Sequence, residues 1–162
     1  MDEPTGARAS GQAGQPLLWA YAAYAATVSA ELLQQVIDAA REDAPNETVG
    51  LLVGAVHARD GGAPTRYVRL ANTAASPYRY TLDPAEQTRL MLEIDDAGEV
   101  VWAIVHSHLA APAAPSATDI ELALYPDSLY LICSLAEPVP VTRAWSIRDG
   151  VVLEVSLAVA GS

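Results

Sequence analysis

Apolar positions recur at helical spacing in two places. After Ser29, a suitable capping residue, Leu32, Leu33, Val36, Ile37 and Ala40 line one stripe of AELLQQVIDAARED, and Pro45 closes the segment. Asp83-Pro84-Ala85-Glu86 opens the second helix with a cap, a Pro in the first turn and a Glu at the third position. That helix is expected to run to about Asp96 and stop near Gly98. Elsewhere the apolar residues form short continuous runs. Thr48–Val56, Val100–Val105 and Leu129–Leu135 predict buried strands, and Leu17–Ala26 a first strand. Tyr67–Leu70 predicts a strand paired with Thr48–Val56 across the turn DGGAP at 60–64. Thr142–Ile147 and Val151–Val159 predict a closing hairpin around Asp149-Gly150. A short third helix is expected from Ser116 to about Tyr125. The order of elements points to a single α/β sandwich whose helices cover a mixed sheet.

Residues 1–16 carry no apolar period and are expected to form a flexible tail, with the domain spanning 17–162. The run LLWAYAAYAA at 17–26 has the apolar character of a signal-peptide core. Asp2 and Glu3, against only Arg8, make a poor positive region before it. The expected location is therefore the cytoplasm.

Composition narrows the function classes. At 162 residues the chain holds one domain, and 51% hydrophobic with 18% charged residues is a globular composition. No apolar run is long enough to cross a bilayer. All nine basic residues are Arg, set against twenty acids, for a net charge of -11. Such a chain repels phosphate backbones, which argues against nucleic-acid binding. The single cysteine, Cys133, excludes an internal disulfide and a cysteine-rich metal site. With only His57, His106 and His108 present, any metal site must be economical.

The informative segment is His106-Ser107-His108, seven residues, Ser116, two residues and Asp119. Residues two apart on a strand point to the same side, so His106 and His108 can present both imidazoles to one ion. Asp119, one turn into the third helix, can add an oxygen. Two His and one carboxylate leave an open fourth position, as a catalytic zinc site requires. Ser116-x-x-Asp119 also reads as a plain capping box. Yet two His, a Ser and an Asp at this spacing arise by chance in roughly 2 of 10,000 chains of this length, and two of the three histidines fall inside it. A proton acceptor for the water is then needed, and Glu47, just before a buried strand, is a candidate.

Glu47 followed by this constellation resembles the complete motif of the JAMM (MPN+) zinc metalloproteases. PNETVGLLVG is similar to the family's glutamate segment, NTAASPYRYTLDPAEQ at 72–87 to the segment that follows it in bacterial members, and SIRDGVVLE to their last hairpin. The likeness covers about residues 20–157. It is greatest to the small bacterial peptidases that act on ubiquitin-like sulfur-carrier proteins. The resemblance implies an α/β/α sandwich with a central mixed sheet, of the cytidine-deaminase-like type. It implies zinc held by His106, His108 and Asp119, Glu47 as general base, and Ser116 as donor to the oxyanion. It also implies a partner that is a sulfur carrier ending in Gly-Gly, whose lack of Cβ atoms suits a narrow approach to the metal. Leu109 departs from the Pro that many members carry after the second histidine, and LAAPAAP at 109–115 has no polar side chain.

Other readings separate by residue. The chain is too short for the insertions of ubiquitin-chain-cleaving members. His57 and Cys133 alone cannot build a second zinc site. A small-molecule amidase would use the same chemistry, and a non-catalytic module of this family would lack motif residues that are present here. Cys133 is expected to be buried and structural, His57 to lie on a surface loop, Trp102 to sit in the core and Trp145 to pack on the sheet. Arg79 has the fork to bind a carboxylate, but a solvated loop position is the simpler expectation. Oligomeric state is not legible in this sequence.

Overall fold

Seven strands form one mixed sheet in the computed structural model, which describes residues 21–161 apart from 75, 78 and 79. The expected tail at 1–16, the start of the first predicted strand at 17–20, and Arg79 lie outside the described residues. The elements are β1 (Tyr21–Ser29), α1 (Ala30–Asp43), β2 (Val49–Gly54), β3 (Pro64–Leu70), α2 (Pro84–Asp96), β4 (Val100–His108), α3 (Ala117–Glu121), β5 (Leu129–Ser134), β6 (Val141–Arg148) and β7 (Val151–Ala160). The strand order is β1-β7-β6-β5-β4-β2-β3. β1 runs parallel to β7 and β4 parallel to β5, while the other neighbours are antiparallel.

The punctuation predicted for the helices is present. The Ser29 hydroxyl accepts the Leu32 N–H at 3.2 Å, and the Asp83 carboxylate accepts the Glu86 N–H at 2.9 Å. At the β6–β7 turn Asp149 and Gly150 take φ of 50° and 76°, the two positive values that a type I′ hairpin needs.

Each helix covers one face of the sheet. Leu32, Val36 and Ala40 of α1 pack with Leu52, Trp102, Val105, Leu131 and Cys133. Leu90 and Ile94 of α2 pack with Val49, Leu51, Ile104, Ile132 and Trp145 on the other face. The result is the expected α/β/α arrangement. Trp102 is an extra residue in β4: Leu52 pairs with Ala103 and Val53 with Val101, so the ladder slips there. Trp102 and Ala103 both join the α1 core, and from Ile104 onward the alternate residues Ile104, His106 and His108 share the α2 side. The bulge thus fixes which face receives the histidines.

Several boundaries differ from the sequence reading, each for a tertiary reason. β1 continues to Ser29, past Ala26, because its ladder with β7 runs to Ser29↔Ala160. β3 begins at Pro64, before Tyr67, because it pairs with Gly54. β2 is shorter than expected, Val49–Gly54. α3 ends at Glu121, short of Tyr125. The Tyr125 N–H donates instead to the Tyr130 hydroxyl at 3.0 Å, and Pro126 follows. Trp102, Trp145 and Cys133 are fully buried, as expected, and burial pushes the Cys133 thiol up from its ordinary value. His57 is half-buried beside the 3-10 turn Ala58–Asp60, more enclosed than a surface loop residue. No helix among the described residues is long and apolar enough to cross a membrane.

Candidate metal centre

Two successive features of β4 and the crossover to β5 bring three donors together. β4 ends with His106 and His108 on one face, and the parallel pairing of β4 with β5 forces the chain to cross over that face. The crossover carries α3, whose first turn returns Asp119 to the histidines. His106 Nε2 lies 3.2 Å from Asp119 Oδ1, and His108 Nε2 lies 3.4 Å from Asp119 Oδ2. The two Nε2 atoms are 3.3 Å apart. An ion bound tetrahedrally at about 2.0–2.1 Å separates its donors by roughly 3.3 Å, so this donor set has the dimensions for zinc. Among the described residues, His106, His108 and Asp119 form a cluster of donors that could hold a metal ion.

The orientation of each donor is fixed by its own partners. His108 Nδ1–H donates to the Pro112 carbonyl at 2.8 Å, which leaves the Nε2 lone pair facing the cluster. His106 Nδ1 is buried with no hydrogen-bond partner, and Tyr80 covers this ring with centroids 5.2 Å apart. Asp119 does two jobs at once. Its Oδ2 accepts the Ser116 N–H at 2.7 Å while the Ser116 hydroxyl accepts the Asp119 N–H at 3.1 Å, a complete capping box. Burial alone would push the Asp119 carboxyl up, but hydrogen bonds from His106 and His108 outweigh it and hold the group well below the usual carboxylate range. Burial works against a charged His108, yet the Asp119 carboxylate and the Pro112 carbonyl raise its pKa overall. The two shifts are two sides of one pairing, in which the Asp119 carboxylate and the imidazoles stabilise each other's charge.

The loop at 109–115 has no polar side chain, but its carbonyls are claimed one after another. Ser134 Oγ donates to Ala111 O at 2.6 Å, His108 to Pro112 O, and Trp145 Nε1 to Ala113 O at 2.9 Å. The loop is pinned through its backbone and turns Leu109, Ala110 and Ala111 into the wall of a cavity of about 620 Å³. Glu47, Ser116, His108, Asp119 and Tyr80 also line that cavity. Four of the five sequence-predicted site residues thus line one cavity, and the fifth, His106, is buried behind it against His108 and Asp119. Sequence reasoning missed Tyr80, Ser134 and Trp145 as supports. Tyr80 lay inside a segment singled out only for its likeness, and no signal in the sequence marks the other two as anchors of a distant loop.

Glu47 sits just before β2 and is buried. Its N–H donates to Ser76 O at 2.9 Å, and its carbonyl accepts from Asn72 Nδ2 at 2.9 Å. Burial pushes its carboxyl up to about 7, Asp119 adds to the rise, and His108 opposes it. This gives a stability prediction for the metal-free protein. Below about pH 4.5 the carboxyl is protonated folded or unfolded and contributes nothing. Between 4.5 and about 7 the unfolded chain releases a proton that the folded chain keeps, so stability falls as pH rises. Above 7 the loss is complete. Glu47→Gln is expected to flatten this part of the melting-temperature profile in chelator; identical pH slopes in the two proteins would refute the assignment.

A mixed α/β domain that gathers two histidines, an aspartate, a serine and a buried glutamate at and beneath one cavity holds the residue types that metal-assisted hydrolysis uses. The comparisons with known proteins agree in fold and length. Residues 29–148 match the family described as prokaryotic homologs of the JAB domain, and the chain belongs to that family. It is 36% identical over 132 residues to a CysO-cysteine peptidase of Mycobacterium tuberculosis, covering 81% of this chain and 88% of that protein. It is 37% identical over 113 residues to a desampylase of Haloferax volcanii, covering 67% and 79%. A solved protein of Desulfitobacterium hafniense superposes with a TM-score of 0.73 at 35% identity, covering 84% of this chain and 93% of that one. A JAB1/MPN domain protein of Archaeoglobus fulgidus shares the fold at a TM-score of 0.52 and 20% identity, with 82% and 98% covered.

Proposed function

We propose that this protein is a zinc-dependent peptidase. It hydrolyses the amide bond that follows the C-terminal Gly-Gly of a ubiquitin-like sulfur-carrier protein. The observation that carries this reading is the His106–His108–Asp119 cluster at the floor of a cavity that His108 and Asp119 line together with Glu47 and Ser116. Relatives named for peptidase and desampylase activity support it.

His106, His108 and Asp119 hold the ion. When bound, zinc polarises the scissile carbonyl and lowers the pKa of water. Glu47 takes the proton of the attacking water as its oxygen bonds to the carbonyl carbon. It then delivers that proton to the amine as the C–N bond breaks. In the metal-free protein burial raises this carboxyl to about 7, and a carboxyl held above its ordinary range by burial is suited to pass on a proton as well as take one. The Ser116 oxygen accepts from Asp119, so its own proton is free for the oxyanion. The apolar wall of Leu109–Ala111 presents no charge to the substrate, and it sheds water when an extended Gly-Gly tail enters. The acidic surface and lack of Lys keep nucleic acid out of the list of partners. The expected setting is the cytoplasm.

Intact mass spectrometry tests the proposal. Zinc-loaded protein is incubated with sulfur carriers extended by one or more residues after Gly-Gly, with diubiquitin alongside. Loss of the extension, with diubiquitin left intact, is the expected result. A zinc-loaded protein that leaves every carrier intact would sink the carrier assignment and turn attention to small amides. A protein that neither binds zinc nor cleaves would mark a non-catalytic module.

A further inference from the structure

Ser107 stands between the two histidines of β4, and its side chain points to the opposite face of the sheet. It is fully buried. Its N–H donates to Thr48 O at 3.2 Å, and its hydroxyl accepts the Thr48 N–H at 2.8 Å. A regular antiparallel pair of this kind exchanges two main-chain bonds. Here the second acceptor is a side chain, placed one step beyond the last register pair, Val49↔His106. Thr48 adjoins Glu47. Other hydrogen bonds on this pair of residues lead elsewhere: Glu47 to Ser76 and Asn72, and the Thr48 hydroxyl to Asp43 Oδ2 at 2.5 Å. The direct bonds from Glu47-Thr48 to β4 are both made by Ser107.

We infer that Ser107 is a positioning residue: its hydroxyl fixes the Glu47 segment at a set distance from the His106–His108 pair. This rests on the reading of Glu47 as base. The same strand then carries both metal ligands toward α2 and, on its back face, the tether that places the base. The alternation of a strand allows one three-residue segment to do both. No side chain other than Ser or Thr at this position would offer a short, buried oxygen to a main-chain N–H without added bulk or charge.

Three variants of the full chain test the inference: Ser107→Ala, Ser107→Thr and Ser107→Val. Thr keeps the oxygen, and Val matches Thr in volume without it. Ser107→Ala and Ser107→Val are expected to lose about 10–100-fold in kcat, as a small misplacement near the reacting groups does, with KM unchanged. Both should keep one equivalent of zinc, and Ser107→Thr should restore kcat. A second readout is independent of activity. Amide hydrogen exchange at Thr48 should accelerate in Ser107→Ala and Ser107→Val while Leu51, inside the β2 ladder, stays protected. Unchanged exchange at Thr48, unchanged kcat with fast exchange, or loss of zinc in Ser107→Ala would each overturn the inference. Wild-type protein that cleaves no carrier would refute the proposed function instead, and the exchange comparison would still decide whether Ser107 holds Thr48.

Discussion

Glu47→Gln protein is expected to bind one equivalent of zinc and to turn over about 10²–10⁴-fold more slowly, the usual loss for a positioned general base. The amide is nearly isosteric and keeps the main-chain bonds to Ser76, Asn72 and Ser107 intact, since none of them uses the Glu47 side chain. It cannot accept the water's proton. The metal should stay because Glu47, just before β2, lies outside β4 and α3, which carry the three donors, and makes no part of their cluster. Zinc content by mass spectrometry and kcat on an extended carrier measure the two halves separately. Full activity in this variant would remove Glu47 from the mechanism. Loss of zinc would make it a ligand. The buried amide should also leave the metal-free protein more stable at neutral pH, because the carboxylate whose pKa burial raises is gone.

Asp119→Asn is expected to lower zinc affinity by more than about 100-fold, beyond the 10–100-fold typical of losing an outer-shell partner. The prediction follows from the carboxylate's two faces. One oxygen faces His106, while the other faces His108 and takes the Ser116 N–H. Asn keeps an oxygen for the Ser116 N–H but loses the charge that the cation needs. Asp119→Ala loses both, at an added cost of about 1 kcal/mol for the missing hydrogen bond. Comparing the two variants separates ligation from helix capping. Thermal unfolding with and without zinc reads the difference. At a free-zinc level of about 1,000 times Kd, binding stabilises the wild-type fold by about 4 kcal/mol, and Asp119→Asn should keep no more than about 1.4 kcal/mol of that gain at the same concentration. An equal zinc-induced rise in both proteins would overturn the ligand assignment.

Much of this was legible in local sequence because it depends on local physics. Ser29 and Asp83 announce helix starts through short side-chain-to-backbone bonds within three residues. Asp149-Gly150 announces a turn through backbone freedom alone. The ligand motif was legible for the same reason: strand alternation sets His106 and His108 on one side, and the Ser116–Asp119 spacing is one helical turn. The strand limits were less so. Val100 to Val105 read as a uniform apolar run, and nothing in it marks Trp102 as the bulged residue. The end of α3 was also hidden, because Tyr125 is drawn off by the hydroxyl of Tyr130 on the next strand.

By itself, then, the sequence determined where the helices start, the strand-rich order, the acidic net charge and five candidate site residues. Each of these rests on neighbours within a few positions or on simple composition. Only the tertiary structure decided that α1 and α2 lie on opposite faces, that the histidines face the α2 side, and that Glu47 arrives beside them with a carboxyl raised to about 7. Those facts depend on a bulge, a register and a burial set by contacts far apart in the chain: Glu47-Thr48 on β4, Ser134 on the 109–115 loop, Tyr80 on His106. Long-range pairing chooses among the arrangements that local preferences permit, and the chemistry of this site is built from that choice.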